Sequence, residues 1–256
     1  MRMVKALLRM AIVATVIAVA VPAAAAVSAG PVVLYDAALN SLPQAQGWAG
    51  PIGPAAVGVA GGVLTFDTTF ANAVQAGFFR SDQLLGSTTG FRVGLTAQVL
   101  SESHANNDRA GFSLIVLDSA HRGVELGFWA DSIFALNAPT QLNPGLFTHA
   151  ESSAPGFRPA AAMTSYSLQL RNGAYTLSAG NATILSGAMR DYSASVQPVY
   201  STNNFMFFGD DTSSARAAVN IGLVSVSAVP EPGMLGLMLA GLCLVGLAVR
   251  RAGARD

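Results

Sequence analysis

Ser165-Tyr166-Ser167-Leu168-Gln169-Leu170-Arg171-Asn172-Gly173-Ala174-Tyr175-Thr176-Leu177-Ser178-Ala179-Gly180-Asn181-Ala182-Thr183-Ile184-Leu185-Ser186 reads as three short strands and two turns. Tyr166, Leu168 and Leu170 alternate with Ser167, Gln169 and Arg171, the period-two pattern of a strand with one apolar and one polar face. Asn172-Gly173 and Gly180-Asn181 divide the stretch, and both dipeptides favour the positive φ that tight hairpin turns require. The stretch predicts an antiparallel three-strand meander over 165–186.

The same period recurs outward from it. Leu64, Phe66, Thr68 and Phe70 alternate with Val63, Thr65, Asp67 and Thr69, and Phe91, Val93, Leu95, Ala97 and Val99 alternate with Arg92, Gly94, Thr96 and Gln98. Residues 112–117 are largely apolar at both parities, which predicts a central strand covered on both faces. In the last run Val219, Ile221 and Leu223 share one parity while Val224 and Val226 take the other, so a bulge near Gly222 is expected. The longest loop is expected over 139–159. All 20 aromatic residues lie between Tyr35 and Phe208, where the packed core must be. With no heptads and no long helical period, residues 30–228 predict one all-β domain of two packed antiparallel sheets.

Gly123-Val124-Glu125-Leu126-Gly127-Phe128, the Tyr175-Thr176-Leu177-Ser178 meander and Phe207-Phe208-Gly209-Asp210-Asp211 before the final strand give this region its likeness. It resembles the concanavalin A-like lectin and glucanase jelly rolls, laminin-G-like domains included. The resemblance implies a jelly-roll sandwich.

The two ends differ from the body. Arg2, Lys5 and Arg9 precede an apolar stretch over 10–21, followed by Ala24-Ala25-Ala26 and Val27-Ser28-Ala29. That order predicts a secretory signal peptide over 1–29, cut by signal peptidase after Ala26 or Ala29. The alternative is a retained N-terminal span. At the other end, Pro230-Glu231-Pro232 leads into an apolar run over 233–249 and then Arg250-Arg251. Seventeen residues of helix span about 25 Å, and the arginines are expected to stay cytoplasmic, so a transmembrane helix would leave the body outside the inner membrane. Pro230 and Pro232 keep the approach to the span extended and accessible to an enzyme. A plain tail anchor or a buried core helix is the alternative. The triplet, the short span and the terminal arginines together resemble the PEP-CTERM sorting signal of Gram-negative bacteria. This implies processing by an exosortase-like enzyme, an outer-surface or extracellular-matrix location, and a link to extracellular polysaccharide and biofilm.

Composition narrows the function. Setting aside Arg2, Lys5, Arg9, Arg250, Arg251 and Arg255 with Glu231 and Asp256, the body keeps 8 basic and 12 acidic side chains and no lysine. A nucleic-acid binder needs a clustered basic face, so nucleic acid is not an expected partner. Cys243 is the single cysteine, which excludes an intramolecular disulfide and a cysteine-based zinc site. No G-x-S-x-G, H-E-x-x-H, P-loop, Rossmann glycine pattern or C-x-x-C occurs. Glucanases on the fold that this chain resembles carry E-x-D-x-x-E on one strand; here Glu125 is followed by Leu126, Gly127 and Phe128, so that machinery is missing.

One strand carries a suggestive face. Over 121–131, Val124, Leu126 and Phe128 should point into the core, leaving His121, Glu125, Trp129 and Asp131 outward, spaced by Gly123 and Gly127. An indole platform beside carboxylates, with no bulk between them, suits a sugar ring. The alternative is an ordinary solvent face with Trp129 under a loop. His149 and Glu151 alternate in the long loop and could join the same face; a His/Glu/Asp metal site there lacks regular ligand spacing. Asp210 and Asp211, with Asn203 and Asn204 nearby, offer oxygen donors that would admit calcium, though an acidic pair beside a glycine is more simply a turn. No other cofactor is expected. The reading is a non-enzymatic exported protein that binds polysaccharide or another envelope component. The alternatives are a secreted carbohydrate-active hydrolase pairing Glu125 with Asp131 or Glu151, and a matrix component with no specific ligand.

Overall fold

The computed structural model describes residues 30–71, 74–138, 147–195, 197–229 and 240–245. Two antiparallel sheets face each other. The first runs β13 (Ala182–Ala188), β12 (Ala174–Ala179), β11 (Thr164–Arg171), β6 (Phe91–His104), β16 (Ala215–Ala228), β4 (Val63–Asp67) and β3 (Ala56–Ala60). β1 (Val32–Asp36) also pairs with β16, through Val32–Val226, beyond the part of β16 that β4 occupies. The second sheet runs β10 (His149–Ser152), β9 (Ile133–Leu136), β8 (Arg122–Phe128), β7 (Ser113–Leu117), β15 (Met206–Asp210), β5 (Ala76–Arg80) and β2 (Ala49–Ile52), with β14 (Arg190–Asp191) on β8. This is the expected all-β jelly-roll sandwich.

The meander forms as its alternation requires. Tyr166, Leu168, Leu170, Tyr175 and Leu177 are buried, and β11 and β12 pair from Tyr166–Ala179 to Arg171–Ala174. Asn172 (φ 50°) and Gly173 (φ 77°) both sit at positive φ, the requirement of a two-residue hairpin turn that follows the strand twist. The parity break in β16 is a bulge: Ile221 pairs with Ala97 and Leu223 with Thr96, leaving Gly222 as the extra residue. Two expectations are corrected. β4 ends at Asp67, because Thr68 turns its hydroxyl to Asp210 and Ala217, and Phe70 is therefore 59% exposed. The region expected as one long loop contains β10.

Leu64, Phe66, Val93, Leu95 and Leu168 of the first sheet meet Phe78, Val124, Leu126, Phe128 and Phe208 of the second in the central core. A second buried cluster lies on the outer face of the second sheet, where Ile115, Leu117, Phe134, Leu136 and Phe207 pack under Phe147, Tyr192, Tyr200 and Phe205. This second layer explains why all five residues of β7 are buried, as the two-sided apolar run predicts.

The signal-peptide reading of 1–29, Pro230, Glu231, Pro232, Arg250 and Arg251 lie outside the described residues. Of the expected span over 233–249, residues 240–245 are described and are helical. No helix among the described residues is long and apolar enough to cross a membrane.

Candidate functional site

The outer face of the second sheet opens into a polar cleft of about 270 Å³. Ser113 from β7, Glu125 from β8 and Leu136 from β9 form its floor; Asp108, Arg109, Phe147, Tyr200 and the Asp211–Ser214 turn form its walls. Strand parity places these floor residues outward, because Leu114, Val124, Leu126 and Ala135 face the core.

Glu125 is the centre of the cleft. It is 2% exposed, Tyr200 Oη donates to its Oε2 at 2.5 Å, and its backbone N–H donates to Tyr192 Oη at 3.1 Å. Its carboxyl is also hydrogen-bonded to Asp211. Burial, and then the neighbouring Asp211, push its pKa well above the usual carboxylate range; the Tyr200 hydroxyl and Arg109 oppose the shift without reversing it. Glu125 therefore keeps its proton to a higher pH than an exposed glutamate does. Tyr192 and Tyr200 stack at 4.9 Å and 8° and are themselves raised well above the ordinary tyrosine value, chiefly by burial and then by Glu125. Arg109 donates to the carbonyls of Asp108 and Phe147 at 2.7 and 2.9 Å, which fixes the wall beside it.

The other sequence-predicted residues are placed differently. His121 lies in the turn before β8 at φ 58°, its Nε2 against the Ser201 carbonyl at 3.1 Å, at the far end of the strand from Trp129. β8 ends at Phe128; Trp129 opens a tight turn closed by Trp129 N–H to Ser132 O at 2.9 Å, and exposed Asp131 is in that turn. The Trp129 indole stacks on His104 at 4.3 Å and 12°, leans on Phe134 at 4.6 Å and donates to Arg109 O at 2.8 Å. The face that a sugar ring would use is covered by His104, which Glu102 holds at 2.9 Å. The space beside Gly127 is likewise taken up by the protein: a Cβ there would stand 2.5 Å from the Phe134 ring.

His149 stacks on Phe134 at 4.2 Å and 9°, and its ring nitrogens meet the Asn107 carbonyl (Nδ1, 2.8 Å) and Ser152 Oγ (Nε2, 2.5 Å). Glu151 turns away from that face to pair with Arg190 and accept from Tyr175 Oη at 3.1 Å. Burial raises its carboxyl, but the hydrogen bond and charge of Arg190, with a backbone hydrogen bond and the Tyr175 hydroxyl, together outweigh that and hold it below its ordinary value. Neither Asp131 nor Glu151 stands beside Glu125. Its partner is Asp211, expected from the sequence only as a calcium ligand.

The calcium reading does not fit the geometry. Asp210 faces inward, accepting from Thr68 Oγ1 at 2.8 Å and Thr212 N–H at 3.1 Å, whereas Asp211 lines the cleft, so the two carboxyls serve opposite faces. Burial raises Asp210 to about 8 against those hydrogen bonds. Asn204 Oδ1 accepts from Leu85 N–H. Among the described residues no group of three or more His, Cys, Asp or Glu side chains converges on a metal position.

Comparison with known proteins bears on the fold and the tail. The structure is similar to the conserved carbohydrate esterase vb_24B_21 from Shiga toxin-encoding bacteriophage phi24B, at a TM-score of 0.55 and 13% identity, covering 78% of this chain and 100% of that one. It also aligns with a protein of unknown function with a galectin-like fold from Bacillus subtilis (TM-score 0.49, 13% identity, 77% and 96% covered). A third alignment is with the laminarinase from Rhodothermus marinus (TM-score 0.41, 12% identity, 68% and 81% covered). At these identities the likeness is one of fold. No curated protein matches the sequence. Residues 228–252 match the PEP-CTERM protein-sorting motif, the tail expected from the Pro-Glu-Pro triplet, and imply processing by an exosortase-like enzyme. The chain is an exported, membrane-processed protein that carries a PEP-CTERM sorting motif behind a jelly-roll body.

Proposed function

We propose that the body is a glycan-binding module that holds a saccharide in the cleft around Glu125 and does not cleave it there. The observation that carries this reading is the lining: Gln75, Ser113, Gln197, Thr212, Ser213 and Ser214 surround the Glu125–Asp211 pair, a concentration of hydroxyl, amide and carboxyl groups matched to sugar hydroxyls. Glycoside hydrolysis by paired carboxyls needs them about 5–9 Å apart, with room for the anomeric carbon or a water between them. Glu125 and Asp211 are hydrogen-bonded instead, which suits holding a ligand better than cleaving one. Export to the cell surface or matrix would place the cleft among polysaccharides, and the shared fold with a phage carbohydrate esterase agrees with a carbohydrate ligand.

The test is a glycan array probed with the full-length protein, followed by affinity electrophoresis in gels that contain the retained polysaccharide. Retention should fall about tenfold or more in Asp211→Ala, through loss of the carboxyl that lines the cleft wall and meets the ligand. Absence of any retained glycan would overturn the reading, and release of shortened oligosaccharides would replace it with the hydrolase reading.

A further inference from the structure

On the same outer face, β10 carries a second arrangement that the binding reading does not use. In a regular strand His149 and Ser152, three residues apart, would point to opposite faces. β10 is not regular: His149 pairs with Leu136 and Ser152 with Phe134, so three steps along β10 answer two along β9. The extra residue is a bulge, and it turns both side chains to the face that holds Phe134 and Leu136. There Ser152 Oγ is 2.5 Å from His149 Nε2.

The tautomer follows from the other ring nitrogen. His149 Nδ1 lies 2.8 Å from the backbone carbonyl of Asn107, and a carbonyl only accepts, so Nδ1 carries the proton. In the neutral ring Nε2 is then a bare acceptor, and the Ser152 hydroxyl donates to it. The ring is held by the Asn107 carbonyl and by the Phe134 stack at 4.2 Å, and the residue's backbone is anchored by its amide N–H, which donates to Asp108 Oδ1 at 2.7 Å. Ser152 is exposed. Nucleophile, base and orienting acceptor thus stand in the relation that activates serine hydrolases.

We propose that Ser152 and His149 are a nucleophile–base pair that hydrolyses carboxylic esters presented on the outer face of the second sheet. His149 Nε2 takes the Ser152 proton as Oγ bonds to the acyl carbon. The tetrahedral adduct then expels the alcohol oxygen, which takes that proton from Nε2, leaving an acyl-serine. Water, deprotonated by Nε2, adds to the acyl carbon, and collapse releases the carboxylic acid as Oγ recovers its proton. The cycle consumes one ester and one water. The register row Ser113–Gly127–Phe134–Ser152 runs from the cleft floor to the serine, so an ester carried by a ligand in the cleft would lie on the same face. The activity itself does not depend on the glycan reading.

The experiment exposes the full-length protein to a fluorophosphonate probe and identifies the modified peptide by mass spectrometry, in parallel with release of p-nitrophenol from p-nitrophenyl acetate. The expected result is one adduct on Ser152 and ester turnover that falls about 100-fold or more in Ser152→Ala. His149→Phe keeps a ring against Phe134 but removes the base, and should abolish labelling while near-ultraviolet circular dichroism stays unchanged. An unlabelled Ser152 in folded protein, or equal labelling in wild type and His149→Phe, would overturn the proposal. Both readouts use small probes, so failure of glycan binding leaves them interpretable.

Discussion

Glu125 shows how one buried side chain can be tolerated and useful at once. A lone carboxylate at 2% exposure would be heavily penalised, and the penalty is reduced by a raised affinity for the proton and by hydrogen-bond partners in Tyr200 and Asp211. Glutamine can donate to Asp211 and accept from Tyr200, so Glu125→Gln should stay within about 1 kcal/mol of wild type in urea denaturation. Glu125→Ala leaves Tyr200 and Asp211 unpartnered beside a void and should cost about 3 kcal/mol in the same measurement. Glu125 was legible in the sequence, since its parity opposes Val124 and Leu126. Asp211 was not, because only the pairing of β7 with both β8 and β15 brings the turn after β15 over Glu125. Trp129 has the chemistry of a sugar platform, yet the turn that starts at it swings the indole onto His104 and Phe134, contacts that alternation along β8 does not foretell.

Elements of the second sheet are locked by close approaches across strands. Gly127 and Phe134 are paired, and the Phe134 ring occupies the space a Cβ at 127 would need. Gly127→Ala should therefore cost about 2 kcal/mol, an overpacking penalty that denaturant titration would register. Adding Phe134→Leu should recover part of that loss, and a double-mutant cycle measures the coupling. The bulge in β10 is the element-level feature hardest to read in advance. Nothing in His149-Ala150-Glu151-Ser152 departs from ordinary alternation, whereas in β16 the apolar parity itself changes at Gly222 and announces the bulge.

For the whole molecule, the sign of the pH dependence follows from its buried acids. Asp210, raised to about 8, and Glu125, raised well above its ordinary value, hold protons in the folded protein that the unfolded chain releases above about pH 4. The folded state thus binds more protons, and stability must fall as pH rises from about 4 through 8. Asp82, Glu151 and Asp191, whose values are lowered, oppose that fall only near about pH 4 to 5, where the unfolded chain still binds their protons; above about pH 6 they are ionised in both states and add no slope. The melting temperature should be about 5 °C or more lower at pH 9 than at pH 5, and Asp210→Asn should flatten that dependence. Because Cys243 is the single cysteine, reductant should leave the melting temperature unchanged. Processing has its own measurement: the intact mass of surface-extracted protein should lack the first ~26–29 residues and the segment after Gly233. Recovery of the complete tail on mature protein would contradict processing.

The sequence by itself determined the sandwich, the meander over 165–186, the bulge at Gly222 and the sorting tail. These rest on local order: period-two alternation, turn dipeptides with positive φ, and a contiguous motif at 228–252. Only the tertiary structure decided which polar groups meet. Glu125 joins Asp211 and Tyr200, Glu151 joins Arg190, and His149 joins Ser152 and Asn107, because these partners lie on separate strands and turns or are re-aimed by a bulge. Alternation tells which face a side chain takes, but strand order, register and turn path decide which neighbour it finds there.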